Sequence, residues 1–333
     1  MQLNSENVDL SDTNNTLHKL SQNVHKFDNK IKIKEIEPTI QNIHENIFEE
    51  DIGIVIDKIV DIYFEELNEG KERKVRKQNI IVNFNNFNIN IQELVNWLLN
   101  NQNDSNSIYL LGYFNYHGIE ISIDIQKSFK LFQKAASLEN NAAQLDLANM
   151  YIDGEGTDKN YDKAFELSKN LAKKELLCGT NLLGYCHVNG IGTDINMQKA
   201  IELYEKTANL GSCLAQYNLA HIYKSGDGVA IDYNKAFELF KKTAEKEYSD
   251  GITMLGYCYN NGIGTGLNKK KAFESYQKSA NLDNHYAQYN LALMYENGDG
   301  VEKNVKQAIY WYKESAKQGS ASALIKLEEL IEE

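Results

Sequence analysis

Apolar residues fall at helical spacing along most of the chain. From Phe48, a face of Ile52, Ile56, Ile59, Val60, Tyr63, Phe64 and Leu67 predicts one helix, and Gly70 stops it. A second amphipathic stretch runs from about Glu72 to Phe84, and a third takes Ile91, Leu94, Val95, Trp97 and Leu98. Each of the three has one apolar face to bury. They are expected to pack together and against the helices C-terminal to them, closing one end of the fold.

From about Ser105 a longer period takes over. A Leu followed by Gly or Ala stands at Leu111, Leu147, Leu183, Leu219, Leu255 and Leu291, each 36 residues after the last, and Leu327 continues the phase with Glu328 behind it. With that Leu as position zero, small residues recur at −4 (Ser107, Ala143, Gly179, Ala215, Gly251, Ala287) and at +1. Two small residues five apart let a neighbouring helix approach closely. This first helix, helix A, ends at Gly118, Gly154, Gly190, Gly226, Gly262 and Gly298, where Gly suits a left-handed C-cap. A second Gly follows two residues later in every unit but the first, which has Glu120. An unbroken column of Asp124, Asn160, Asn196, Asp232, Asn268 and Asn304 then supplies N-caps for a helix B that closes on Ala136, Ala172, Ala208, Ala244, Ala280 and Ala316. Capped amphipathic helix pairs at fixed period predict an all-α solenoid, because one unit cannot bury its faces alone and six in series can.

The pattern A-x-x-x-L-G-x-x-Y-x-x-G-x-G-V, with Asp or Asn and then K-A behind it, resembles the Sel-one-like repeats (SLR), relatives of the tetratricopeptide repeats. Ala215–Val229 and Ala287–Val301 carry it almost throughout, and the match covers about 105–333. Local departures are Glu120, Asn115 and His187 in the +4 Tyr column, and Ser128 for Ala. The resemblance implies a right-handed superhelix whose A helices line a concave groove, and a scaffold or adaptor role in signalling or protein quality control. The stretch 48–104 also looks like the linker that joins a kinase domain to an SLR array in fungal proteins. Only 47 residues precede it and no H-R-D, D-F-G or A-P-E sequence occurs, so kinase activity does not carry over.

Alternate repeats resemble each other more than their neighbours. Leu182-Leu183-Gly184-Tyr185-Cys186 returns as Met254-Leu255-Gly256-Tyr257-Cys258, and Ala215-Gln216-Tyr217-Asn218-Leu219-Ala220 returns as Ala287-Gln288-Tyr289-Asn290-Leu291-Ala292. The groove is therefore expected to present two alternating surfaces. By the 100° step of a helix, positions −4, 0, +3 and +4 are buried and −2, +2 and +5 lie opposite. The +2 and +5 columns vary freely and are the candidate partner-binding residues: Tyr113, Tyr116, Asn149, Ile152, Tyr185, Val188, His221, Lys224, Tyr257, Asn260, Leu293 and Glu296. Tyr is a good recognition residue, offering area at little entropic cost. The −2 column (Tyr109, Leu145, Asn181, Tyr217, Thr253, Tyr289) either binds or packs between helices.

Composition narrows the classes. Net charge is −12, which argues against nucleic acid and anionic membranes as partners. No apolar run approaches the roughly 20 residues of a membrane span, and the first residues lack a basic and an apolar signal region. Cys178, Cys186, Cys213 and Cys258 have no paired-ligand spacing and read as reduced, buried thiols of a cytoplasmic or nuclear protein. The cluster Lys71, Arg73, Lys74, Arg76 and Lys77 reads as a docking patch or a nuclear localisation signal, or more simply as a solvated face offsetting Glu65, Glu66, Glu69 and Glu72. Gly262-Ile263-Gly264-Thr265-Gly266 follows a helix and recurs in part in other units, which makes it a turn rather than a nucleotide loop. Ser275 and Lys278 have the Ser-x-x-Lys spacing, but Ser275 occupies a packing column and no Lys-Thr-Gly occurs.

The expected organisation is a flexible tail over 1–47, a helical N-terminal cap over 48–104, and an array of six repeats over 105–333 closed by a polar C-terminal helix. The expected function is a non-enzymatic adaptor, without cofactor or metal, monomeric, binding a protein or peptide segment in its helix A groove. Two alternatives are docking on a protein kinase through 48–104 and end-to-end self-assembly.

Overall fold

The structure, a computed structural model, describes residues 49–332; the tail expected over 1–47, with His18, His25 and His44, lies outside the described residues. The chain divides into two units, Met1–Ile54 and Val55–Glu333, and the second holds the greater part of the first helix and every later element. Every regular element among the described residues is an α-helix.

Three helices come first: α1 (Glu49–Glu69), α2 (Arg73–Asn86) and α3 (Ile91–Asn100). The six repeats follow as α4 (Ser105–His117) and α5 (Ile125–Ser137), α6 (Asn141–Asp153) and α7 (Tyr161–Lys173), α8 (Leu177–Asn189) and α9 (Met197–Asn209), α10 (Cys213–Ser225) and α11 (Tyr233–Glu245), α12 (Ser249–Asn261) and α13 (Lys269–Asn281), α14 (His285–Asn297) and α15 (Val305–Lys317). The chain closes on α16 (Ala321–Glu332). Within the array each helix packs on the one before and after it, the order of an α-solenoid.

Every turn from helix A to helix B has one construction. The Gly at the C-cap is left-handed, with φ from 64° at Gly118 to 82° at Gly226, and each N-cap Asp or Asn accepts from the backbone N–H three residues on. The same cap residue donates its own N–H to the +4 carbonyl of helix A, as in Asn160 to Tyr151 at 2.9 Å and Asn196 to His187 at 2.8 Å. The second Gly serves the stack. A Cβ on Gly192 would stand 2.4 Å from the Tyr161 carbonyl, and one on Gly264 2.0 Å from the Tyr233 carbonyl, each at the start of the preceding repeat's helix B. The first repeat has no preceding helix B, and there Glu120 takes the place of Gly.

The core runs along the stack as the zero, +1 and +3 columns of helix A against the Ala and aromatic positions of helix B. Gly112, Gly184 and Gly256 let Phe132, Tyr204 and Tyr276 lie directly on the A helix backbone. The −2 column packs too. Tyr109 stacks on Phe132 at 5.4 Å, Tyr217 meets Phe240 at 5.9 Å and Tyr289 meets Tyr312 at 5.7 Å, while Asn181 accepts from the Thr207 hydroxyl at 2.5 Å. At the far end α16 buries Ala323 and Leu327 against Ala292, Ala308 and Tyr312, and leaves Leu324 and Ile325 exposed.

The N-terminal helices pack on the first repeat. Phe84 of α2 meets Phe114 edge-on at 5.9 Å, Tyr63 of α1 meets Tyr109 and Tyr113 at 6.0 and 5.1 Å, and α3 packs on α4. They also reach much further along the array than a cap over its first unit requires.

Candidate functional site: the helix A face

The turn between α1 and α2 lies across the A helices of the array. Asn68 accepts from the Cys178 N–H at the start of α8, at 3.3 Å. Gly70, left-handed at φ 74°, sits against the start of α10, where a Cβ would come 2.9 Å from Leu214 N. The Glu72 carboxylate accepts from the Ser249 N–H and, at 2.9 Å, from the Ser249 hydroxyl at the start of α12. Lys74 pairs with Asp283, just before α14. Its neighbour Arg73 instead donates to the Tyr116 hydroxyl of the first repeat at 2.9 Å, with its guanidinium over the ring at 4.7 Å. Adjacent side chains that reach the first repeat and the edge of the sixth require a surface that wraps around them. The A helix face is therefore concave, and residues 68–77 lie in it.

The basic cluster bonds partly to α1 and partly to the array rather than to water alone. Arg76 donates to the Tyr63 hydroxyl at 2.9 Å, Lys77 to the His117 carbonyl at 3.2 Å, and Lys71 pairs with the buried Glu66 at 3.2 Å. Behind the two arginines, Tyr109 donates to Asp146 at 2.9 Å and Tyr116 donates to Glu155. Burial pushes the Asp146 carboxyl above the usual carboxylate range, with Arg76, the Tyr109 hydroxyl and Arg73 pulling it back. Burial raises Glu66 and Glu72 in the same way, opposed by Lys71 at the first and the Ser249 bonds at the second. Burial, with Arg73, Lys77 and Arg76 around it, depresses His117 from 6.5 to about 3.

The residues predicted to bind divide into two groups along this face. Tyr113, only 1% exposed, and Tyr116 are held by α1 and α2. Beyond them the surface is open. Tyr185 is 43% exposed and Tyr257 37%, with the Lys224 ammonium 5.2 Å over the Tyr257 ring. Tyr286, at the start of α14, is 62% exposed. His221 lies half-buried against Tyr217 at 4.6 Å and Phe240 at 5.2 Å, and burial with Lys224 lowers it to about 4. Asn149 is half-buried and Ile152 buried; Val188 and Leu293 are half-buried against the core of the neighbouring units. Asn260 accepts from Lys269 at 2.9 Å, and Glu296 accepts from the Tyr312 hydroxyl at 2.5 Å and faces Lys326 at 3.6 Å.

Column reasoning missed Asn68, Gly70 and Glu72. A signal was present: the residue seven before the reference Leu is Asp104, Asn140, Ser212 and Asn284 in four repeats, but Leu176 and Tyr248 in the third and fifth.

The cysteines and the Ser-x-x-Lys pair are held within the packing and the helix surface. The four cysteines are buried and unpaired, and burial pushes Cys178 up to about 12 and Cys258 to about 11, far from the thiolate a nucleophile needs. Ser275 donates to the Lys271 carbonyl at 2.8 Å, and Lys278 faces Glu247 at 3.5 Å, so the Ser-x-x-Lys pair is tied into the helix surface. Among the described residues, no group of three His, Cys, Asp or Glu is placed to hold a metal, and no helix is long and apolar enough to cross a membrane.

The family model described as Sel1 repeat matches six successive stretches, 105–140, 141–174, 179–212, 213–248, 249–284 and 285–320. Among solved structures, a Sel1 repeat protein from Oxalobacter formigenes is 27% identical, with a TM-score of 0.58, over 65% of this chain and 89% of that one. A protective antigen of uropathogenic Escherichia coli with an SLR fold is 28% identical, with a TM-score of 0.49, over 85% of this chain and 67% of that one. The immunity protein Pa5087 of Pseudomonas aeruginosa is 18% identical, with a TM-score of 0.50, over 64% of this chain and 81% of that one, a likeness of fold. No curated protein matches the chain.

Proposed function

The chain belongs to the Sel1 repeat family, whose members are in general non-enzymatic protein-interaction scaffolds, and we propose that it is an adaptor binding a partner polypeptide on its concave helix A face. The observation that carries this reading is the polypeptide already lying there: residues 68–77 cross the A helices and bond to them through backbone and side chains. The open part of the same face offers Tyr185, Tyr257 and Tyr286 with His221 and Lys224, aromatic area with a cationic edge. Rigid aromatic side chains of this kind supply most of the energy of many interfaces.

Buried unpaired thiols are in keeping with an intracellular setting, and a signalling assembly is the context we assign. Docking of a kinase through 48–104 has less support. The cations it would use, Arg73, Lys74, Arg76 and Lys77, bond to the array or to α1.

The test is capture of partners by the full chain and by the Tyr185→Ala, Tyr257→Ala double variant, identified by mass spectrometry. A specific partner retained by the wild type should be lost from the variant with the melting temperature unchanged. Equal capture by both would remove the groove assignment.

A further inference from the structure

We propose that the 68–77 turn is a releasable latch that occupies the partner groove in cis, and that the partner displaces it by presenting the same chemistry: two side-chain acceptors four residues apart, with basic residues behind them. The inference rests on the scaffold reading and adds to it what the groove recognises and how access to it is controlled.

The first observation is a gap in an otherwise regular column. Asp104, Asn140, Ser212 and Asn284 each accept from a first-turn N–H of their own A helix, at Ser107, Ala143, Ala215 and Ala287. Leu176 and Tyr248 stand in the same register before α8 and α12, and neither makes a side-chain cap. A helix start leaves four N–H groups without intrahelical partners, and an uncapped one favours an acceptor from elsewhere. The second observation is that the turn supplies those acceptors. Asn68 takes the Cys178 N–H of α8, and Glu72 takes the Ser249 N–H and hydroxyl of α12. The two bare starts belong to the alternate repeats that share Leu-Gly-Tyr-Cys at 183–186 and 255–258, so the 72-residue pattern carries the recognition sites.

The third observation concerns how the turn is held. The bases of α1 and α2 are fixed on the first repeat by Tyr63 and Phe84, both buried among aromatic rings. Between them the turn has Gly70 in place of an apolar anchor and meets the array through hydrogen bonds and through the exposed Lys74–Asp283 pair. Exposed ion pairs hold weakly, whereas the repeats are stacked by fully buried columns. The turn can leave without unstacking a repeat. A partner entering in its place finds the two helix starts for its acceptors, and Asp283, Asp146 and Glu155 for its basic residues.

The test uses the full chain and a fluorescein-labelled synthetic peptide of residues 64–80, read by anisotropy. The wild type, with its own turn in place, should bind the peptide at least tenfold more weakly than the Asn68→Ala, Glu72→Ala double variant. A peptide carrying the same two substitutions should bind neither. Hydrogen exchange gives a readout that needs no ligand. The first-turn amides of α8 and α12 should exchange at least tenfold faster in the double variant, while those of α10 and α14, capped by Ser212 and Asn284, stay as they are. Lys74→Glu, which sets two like charges at an exposed site and leaves the repeats intact, should shift both readouts the same way. Equal peptide binding by wild type and both variants, or unchanged exchange at α8 and α12, overturns the latch. That failure leaves the scaffold reading standing, since the scaffold is tested separately by capture with Tyr185 and Tyr257 replaced.

Discussion

The Glu72 carboxylate accepts the Ser249 backbone N–H across 177 residues of sequence. This bond joins the turn after the first helix to the fifth repeat, and it lands where Tyr248 leaves a helix start uncapped. Helices that pack on the first repeat thus also reach the fifth.

Gly70 is what lets the turn lie so close. It is left-handed, and a Cβ there would meet Leu214 N at 2.9 Å and the Leu214 Cβ at 3.1 Å. Gly70→Ala should weaken docking by about 1–3 kcal/mol through backbone strain alone. Amides of 66–77 and of the first turns of α8 and α12 should exchange faster while the rest of the array keeps its protection. Unchanged exchange in the turn would show that it does not rest on α10 in solution.

The second Gly of each turn faces a stricter limit. A Cβ on Gly264 would stand 2.0 Å from the Tyr233 carbonyl and 2.7 Å from the Phe237 Cβ, at φ 65°, whereas one on Gly266 meets nothing within 4 Å. Gly264→Ala should cost roughly 2–5 kcal/mol from strain and overpacking together. Gly266→Ala should be close to neutral. Thermal melts of the two variants check the contrast, and similar melting temperatures would deny the second Gly its role in stacking.

The periodic part of this arrangement was legible because each of its causes is local. The C-cap Gly, the Asp or Asn cap and the small residues of helix A act within one unit or between neighbours, so they repeat every 36 residues and can be read as columns. The position of 68–77 has no such register. It is set once, by contacts with Cys178, Ser249, Asp283 and Tyr116 that are far apart in sequence. Its trace was the loss of polar caps at Leu176 and Tyr248, which is visible only when a column is read for its exceptions. The −2 column shows the opposite limit. Helical angle alone puts Tyr109 on the exposed side, but Phe132 of α5 and Tyr63 of α1 pack on its ring and take it out of water.

Packing and exposure part company between these side chains. Tyr109 is 0% exposed, whereas Tyr185 and Tyr257 project from the surface at +2. Tyr109→Ala should destabilise by about 3–5 kcal/mol, the cost of emptying a large aromatic site. Tyr185→Ala and Tyr257→Ala should each stay within about 0.5 kcal/mol of the wild type, as surface changes do. Urea melts of the three variants test the split, and a large loss at Tyr185 would make it a packing residue.

His117 reports on the latch through its charge state. Its ring lies 4.2 Å from Tyr113 and 5.0 Å from Tyr116, with Arg73, Lys77 and Arg76 brought up by the turn and by α2. Burial and those three cations hold the imidazole neutral and depress its pKa from 6.5 to about 3. A depressed histidine favours the unfolded chain once that chain can take the proton. Its contribution to stability is therefore complete above pH 6.5 and drains away as pH falls from there toward about 3. His221, lowered to about 4 by burial and Lys224, acts in the same direction. The raised carboxyls Glu66, Glu72 and Asp146 act in the other: their contribution is present at low pH and lost as pH rises through their folded values. A bulk acid melt mixes these groups, so the clean measurement is the His117 ring itself, followed by NMR from about pH 8 down to about pH 5, a range that brackets the ordinary histidine value. In the wild type its signals should not titrate over that range. In the Asn68→Ala, Glu72→Ala variant the released turn should draw cations and cover away from His117, and its pKa should climb toward 6.5. A wild-type ring that titrates near 6.5 would mean that α1 and α2 do not cover the first repeat in solution. A ring silent in both proteins would mean that α2 holds its cations in place when the turn is cut loose.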